Sequence, residues 1–321
     1  YDPDIFREAG KRIREMARMA DKFTVEERIA RLASIFATFR NPDKETVLTP
    51  WRVVNMHLGD SLGGYCFMNE DFTSPLDTPR YIEHKGITSK VFRPRSVILE
   101  INSKSGLYPL YAAYNIYRTR IEEARERYGE INRTTALMLW DRSLEENIFV
   151  VCKTPMARYI TMRTLRGFRK TKVHAEYYPD LIESITTQPE SVVNMLRSGK
   201  RFWKINNDEN MKIDAIIGNP PYQVTVAKKD TDNGQKRSSN IFQHFQLLAD
   251  KLAPRFSSLI YPAGRWIHRS GKGLADFGYN QINDKRLCRL HFFPDSTDIF
   301  QDVGIADGLS IVFMDNAKKK E

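Results

Sequence analysis

The chain has 321 residues, with 50 Lys or Arg against 40 Asp or Glu and a formal net charge of +10. A hydrophobic share of 41% beside 28% charged residues excludes a disordered chain and an integral membrane protein, and no apolar run approaches the roughly 20 residues that cross a bilayer. The length suits one large α/β domain with a small appendage, or two modest domains.

The basic balance favours a polyanionic partner, nucleic acid first, over a merely soluble basic surface only evenly. Cys66, Cys152 and Cys288 lie far apart, have no zinc spacing, and as a set of three cannot all pair within one chain. They suit a reducing cytosol. The six histidines show no metal spacing and no P-loop is present, so no metal is expected. No signal-peptide pattern opens the chain, and a first residue of Tyr rather than Met is expected of a piece of a longer protein.

Taken from the N-terminus, Ile5, Ala9, Ile13, Met16 and Ala20 recur at helical spacing. Thr24 and Glu27 form a capping-box pattern that starts a second helix bearing Ile29, Leu32, Ile35 and Phe36. Residues 1–47 are therefore read as a helical appendage, and 48–321 as the catalytic domain. Thr49-Pro50 is a helix start, with Thr49 as cap, and Gly63-Gly64 is its stop. The stretch from Asp71 to Arg95 reads as a long loop.

From Ser96 strands and helices alternate. Strands are predicted at Val97-Ile98-Leu99, Ile148 to Val151, Phe202 to Ile205 (a weaker pattern), Ile213 to Ile217, Ser258 to Tyr261, Leu287 to Phe293 and Leu309 to Phe313. Helices are predicted from Pro109 to Arg127, after Pro155, and from Ile241 to Leu252. Such alternation implies a largely parallel sheet covered by helices. The last two strands lack a helix between them and suit antiparallel neighbours.

The sharpest chemical feature is Asn219-Pro220-Pro221-Tyr222, which follows the strand ending in Ile216-Ile217-Gly218. The glycine lets the backbone turn, and the two prolines fix a rigid loop at the carboxyl edge, where open α/β sheets bind ligands. Such a loop presents an amide oxygen and a backbone carbonyl, two acceptors matched to an –NH₂ group. An exocyclic base amine is a poor nucleophile because its lone pair is spread into the ring. Accepting its protons pulls the nitrogen toward tetrahedral geometry. Tyr222 offers a face on which a flipped base stacks. The competing reading is an ordinary Asn-Pro turn with a surface Tyr.

This loop resembles the catalytic loop of the amino-methylating, S-adenosylmethionine-dependent DNA methyltransferases of bacterial restriction-modification systems. The resemblance runs from about Leu48 to Asp315. It implies a Rossmann-like methyltransferase sheet of about seven strands with the last one antiparallel, S-adenosylmethionine as cofactor and duplex DNA as partner. Adenine is implied as the target base by the Asn-Pro-Pro-Tyr spelling. Thr49-Pro50-Trp51 is similar to the family's cofactor-side segment. Glu100, Asn102, Ser105 and Gly106 stand where the family has its methionine-binding loop, and Cys152 stands where it usually has an acid for the ribose hydroxyls. The family's loop usually reads Asp-Pro-x-x-Gly-Ser/Thr-Gly; here Lys104 replaces the first glycine. The order of segments resembles the branch whose target-recognition domain lies C-terminal, so that domain and other parts of a longer polypeptide are expected outside this chain.

Candidate phosphate contacts are Lys228, Lys229, Lys236 and Arg237 after the catalytic loop and Arg265 after the fifth strand, on the same edge as His268, Arg269 and Lys272. Arg158 to Lys172, basic and free of acids, fits either phosphate contact or a solvated helix face. Two other functions share the fold. One is a methyltransferase of RNA or of a protein glutamine. The other is a non-catalytic DNA-binding module whose cofactor pocket has decayed, which Lys104 and Cys152 favour.

Overall fold

The computed structural model describes residues 2–39, 48–206, 210–226, 237–270, 273–301 and 304–320. The chain opens with α1 (Pro3–Ala20), α2 (Val25–Ala37) and α3 (Trp51–Ser61), then a hairpin of β1 (Gly64–Met68) and β2 (Pro75–Ile82), and α4 (Thr88–Val91). The alternating part begins with β3 (Ile98–Ile101), α5 (Leu107–Tyr128), α6 (Arg133–Asn147), β4 (Ile148–Cys152), α7 (Pro155–Arg166) and β5 (His174–Tyr177). There follow α8 (Leu181–Thr187), α9 (Pro189–Arg197), β6 (Ala215–Gly218), the strands β7 (Gln223–Val226) and β8 (Arg237–Asn240), and α10 (Phe242–Leu252). The last elements are β9 (Phe256–Pro262), α11 (Gly264–Ile267), α12 (Leu274–Ile282), β10 (Leu287–Phe293) and β11 (Leu309–Asp315).

Seven strands form one sheet in the order β10-β11-β9-β6-β3-β4-β5. The pairs from β9 to β5 are parallel, and β11 runs antiparallel to both its neighbours. The central strands are buried on both faces because helices cover both. Their period of two divides the core. Ile98, Val150, Ala215, Ile217 and Ile260 face a cluster built with α2, α3, α5 and α6, whereas Leu99, Val151, Ile216 and Leu259 face one built with α8, α9 and α10. The N-terminal helices start where sequence chemistry puts them: Asp2 caps α1 ahead of Pro3, and Thr24 and Glu27 close a capping box on α2.

Three expectations need correction. The strand beside β4 is His174–Tyr177, not Phe202–Ile205. The latter folds as a turn whose Trp203 donates to the Leu196 carbonyl at 2.8 Å and packs edge-on against Phe149. The stretch read as a long loop contains β2 and α4, with Arg80 donating to the Met68 and Asn69 carbonyls to close the hairpin. Thr49 does not cap α3, which has no side-chain cap.

Candidate active site

The strands β6, β3 and β4 lie side by side and end at one edge, with Glu100 opposite both Ile217 and Val150. Glu100 is buried, and one carboxylate oxygen, Oε2, has no hydrogen-bond partner. Burial pushes its pKa up to about 8, against the opposing pull of the Ser103 hydrogen bond and the Lys104 charge. A carboxylate without a donor in such a place is costly unless a cation or donor arrives with a ligand.

Residues 102 to 106 form a tight turn after β3. The N–H groups of Asn102 and Ser103 both donate to the Val151 carbonyl at 2.9 Å. The Ser103 hydroxyl accepts from the Gly106 N–H at 3.2 Å and lies 3.2 Å from the Thr161 hydroxyl. Thr164 donates to the Ser105 carbonyl at 2.6 Å. A β-carbon at Gly106 would stand 3.0 Å from Thr161 Cα, so the turn sits on α7 as closely as a glycine allows. The left-handed positions are Asn102, at φ 71°, and Gly106, at φ 79°. Lys104 is not among the positive-φ residues, so lysine there strains nothing, and Asn is among the residues that tolerate the left-handed region best. The left-handed angles a glycine would supply at position 104 are not needed there, because the turn places them at Asn102 and Gly106.

Gly218, at φ +146°, turns the chain into the Asn219 loop. Pro220 is buried and Pro221 half-buried. The Tyr222 carbonyl accepts from the Ile241 N–H at 3.0 Å, which ties the loop down beyond the β7–β8 hairpin. Asn219 Nδ2 donates to the Thr49 hydroxyl oxygen at 3.0 Å, across 170 residues of sequence. Its Oδ1 is buried with no partner, and so is the Tyr222 hydroxyl. Burial raises the Tyr222 pKa, and the adjacent Asn219 amide opposes the rise. The Tyr222 ring is half-buried and touches both core clusters. Thr49 is itself buried, whereas Pro50 is exposed at the head of α3.

Beneath the loop lies a buried chain that the sequence did not announce. His57 Nδ1 is 2.7 Å from the Tyr108 hydroxyl, and Nε2 is 2.9 Å from Ser258 Oγ. Ser258 donates to Ser61 Oγ at 2.6 Å, and Ser61 donates to the His57 carbonyl. These directions leave one arrangement: Nε2 carries the proton toward Ser258, and Nδ1 accepts from Tyr108. Burial pushes the His57 pKa down to about 3, so the ring stays neutral. Both Tyr222 and Glu100 act electrostatically on Tyr108, so this chain neighbours both of them. His57 and Ser61 stand four apart on α3, a spacing that only marks one helix face.

The remaining predicted residues divide differently. Cys152 is fully buried at the end of β4, with Sγ 3.9 Å from the Thr161 hydroxyl, and burial raises its pKa to about 12. It is a neutral thiol facing α7. Arg265 forms an ion pair with Asp307 at 2.9 Å. Lys228, Lys229, Lys236 and Lys272 lie outside the described residues, and Arg237 is the first residue of β8. In the basic stretch, Arg158, Arg163 and Arg166 donate to the carbonyls of Ala175, Gly167 and Thr171, and Arg169 pairs with Asp141. These four arginines stitch the protein to itself. Among the described residues no group of His, Cys, Asp or Glu is arranged to hold a metal, and no helix is long and apolar enough to cross a membrane.

Comparison with known proteins adds a family to this geometry. Residues 146–300 match the Eco57I restriction-modification methylase family. The matched stretch is just under half of the chain. It contains β4, β6, the Asn219 loop and β9, while Thr49, α3 and the Glu100–Gly106 turn lie upstream of it. An uncharacterized adenine-specific methylase of Mycoplasma pneumoniae is 33% identical over 125 residues, covering 36% of this chain and 29% of its own length. Among solved structures, a modification subunit of a type I restriction enzyme from Vibrio vulnificus superposes with a TM-score of 0.50 at 13% identity, covering 92% of this chain and 51% of that one. That likeness shows the fold alone. The chain spans about half the length of this subunit and under a third of the curated relative.

Proposed function

We propose that the protein transfers a methyl group from S-adenosylmethionine to the exocyclic amine of adenine in duplex DNA, as part of a longer restriction-modification or phage-defence polypeptide. The observation that carries this reading is the buried, unpartnered Oδ1 of Asn219, held on a proline-fixed loop beside the end of β3. It is an acceptor awaiting a donor. Among the described residues no hydrogen bond reaches the Pro220 carbonyl, the second acceptor of the pair. An amine placed between the two donates one proton to each. Its lone pair then points away from both, out of conjugation with the ring.

Neither acceptor is a base. The proton would therefore leave to solvent after the new N–C bond has formed and the methyl–sulfur bond has broken, when the nitrogen is positively charged and acidic. Tyr222 supports the base through its ring face, and its buried hydroxyl supplies a further polar contact.

The cofactor, when bound, supplies an activated methyl group on a sulfonium. The orphaned Glu100 Oε2 fits its ammonium group, and the Ser103–Gly106 turn brings backbone close enough to enclose its methionine part. Asn102, Ser105 and Gly106 shape that turn. Cys152 does not offer a charged acceptor to the ribose hydroxyls, so the reading includes weaker cofactor binding by this chain alone. DNA contact is assigned to Lys228, Lys229, Lys236 and Arg237, with Arg265 on the same edge. Residues 48–321 form the catalytic unit in this reading, with 1–47 as a helical segment.

The test is methyl transfer from labelled S-adenosylmethionine to unmethylated duplex DNA by the full-length protein, with digestion to nucleosides to identify the product. N6-methyladenine is expected. Asn219→Ala should abolish transfer while the protein melts within a few degrees of wild type, since little packing is lost. Label in RNA or in a glutamine side chain instead would redirect the substrate assignment, and a wild-type rate in the variant would remove Asn219 from the chemistry.

A further inference from the structure

We infer that Thr49 is a positioning residue for this reaction: its hydroxyl holds the Asn219 amide with Nδ2 turned aside and Oδ1 left to meet the target amine. The inference rests on the amine-methylating reading and adds to it a residue far upstream of the catalytic loop. An amide has two ends of nearly equal shape and opposite role. With the –NH₂ end forward, donor would face donor, and the amine would be repelled rather than activated. The productive orientation needs an acceptor for Nδ2 on the far side, and Thr49 Oγ1 supplies it at 3.0 Å.

Three observations set this contact apart from incidental packing. Thr49 is buried at the head of α3, yet its hydroxyl does not cap that helix. It stands one residue before Pro50, the N-cap, so its hydroxyl is left free of the helix end. Its backbone is restricted by the following Pro50, which disfavours helical angles for the residue before it. Finally, α3 is anchored to β9 and α5 through the His57 chain, independently of the catalytic loop. The acceptor is thus fixed from below, and the amide is oriented against a stationary point.

The experiment uses full-length protein with Thr49→Val, which keeps the shape and removes the hydroxyl, Thr49→Ala as a second deletion, and Thr49→Ser, which keeps the hydroxyl. Single-turnover methylation of unmethylated duplex DNA is measured at saturating S-adenosylmethionine, with the cofactor Kd taken separately by calorimetry and folding checked by thermal melts. Thr49→Val and Thr49→Ala should each slow the chemical step by about tenfold or more, with the cofactor Kd within about threefold of wild type. Thr49→Ser should restore most of the rate. An unchanged rate in a folded Thr49→Val would overturn the inference, as would a slow rate fully explained by lost cofactor affinity. A wild-type protein unable to methylate DNA would overturn the functional reading itself, and this inference with it.

Discussion

The Glu100 side chain borders the space that a side chain at position 218 would enter: a β-carbon on Gly218 would stand 3.3 Å from Glu100 Cγ and 3.6 Å from Oε1. The two residues lie at the ends of adjacent parallel strands, one leading to the Asn102–Gly106 turn and the other to the Asn219 loop. Gly218→Ala should therefore disturb both loops at once. Its φ of +146° adds backbone strain, and together the effects should destabilise the fold by about 1–3 kcal/mol. Urea unfolding measures the first effect and methylation the second. An alanine variant with wild-type stability and activity would show that Glu100 can move aside freely.

Glu100 also predicts a pH dependence. Burial raises its pKa from 4.5 to about 8 in the folded protein. Between these values the native state keeps a proton that the unfolded chain has released. Its contribution to stability is thus present below the unfolded value and is lost as pH rises through the folded one. Glu100→Gln should remove that slope and be the more stable protein above about pH 8. The same ionisation governs a cationic ligand in the opposite sense. S-adenosylmethionine affinity in the wild type should rise with pH up to about 8 and then level off. Calorimetry across this range, in buffers of different ionisation enthalpy, reads the proton release directly; a flat profile would separate Glu100 from the ligand.

Tyr222 separates ring from hydroxyl. The hydroxyl is buried and unpartnered, which costs about 1–3 kcal/mol relative to a satisfied group. Tyr222→Phe should melt at or above the wild-type temperature and retain DNA binding. Tyr222→Ala should weaken binding of the flipped base by about 1–3 kcal/mol, the usual worth of base–aromatic stacking. Fluorescence of a 2-aminopurine at the target position follows the flip. Equal losses in both variants would move the function of this residue from the ring to the hydroxyl.

Restoring the family's usual acid at position 152 should not help. Cys152 is fully buried against α7, so Cys152→Asp would place a carboxylate where only a thiol fits. Loss of stability by about 3 kcal/mol or more is expected, as for other unpaired buried charges. Cofactor affinity should not improve. Tighter binding with an intact fold would mean that position 152 does reach the ribose.

The parts legible in the sequence were those in which local chemistry and tertiary role coincide. Ala215 to Gly218 is apolar because it is a central strand, and Asn219-Pro220-Pro221 is rigid whatever surrounds it. The reversed β11 was foreshadowed by the missing helix before it. His174–Tyr177 escaped notice because an edge strand needs only alternate burial, and His174 is polar while lying stacked on Phe149 at 4.6 Å. Phe202-Trp203 misled for the converse reason: it is apolar in order to cover Phe149, not to join the sheet. The His57–Tyr108–Ser258–Ser61 chain joins residues as far as 201 positions apart, and no local pattern records such a meeting.

One short helix is held from two sides. Arg28, on α2, donates to the carbonyls of Arg163 and Thr164 at 2.9 Å near the end of α7, while Thr164 of the same turn donates to the Ser105 carbonyl. A guanidinium from the N-terminal helices and the backbone of the cofactor turn therefore share a single strut. A force that shifts α2 is felt at α7, where it strains the charge-assisted bonds of Arg28 beside the peptide on which Ser105 rests. Tension applied upstream of residue 28 thus has a path to the Asn102–Gly106 turn through α7, without crossing the sheet.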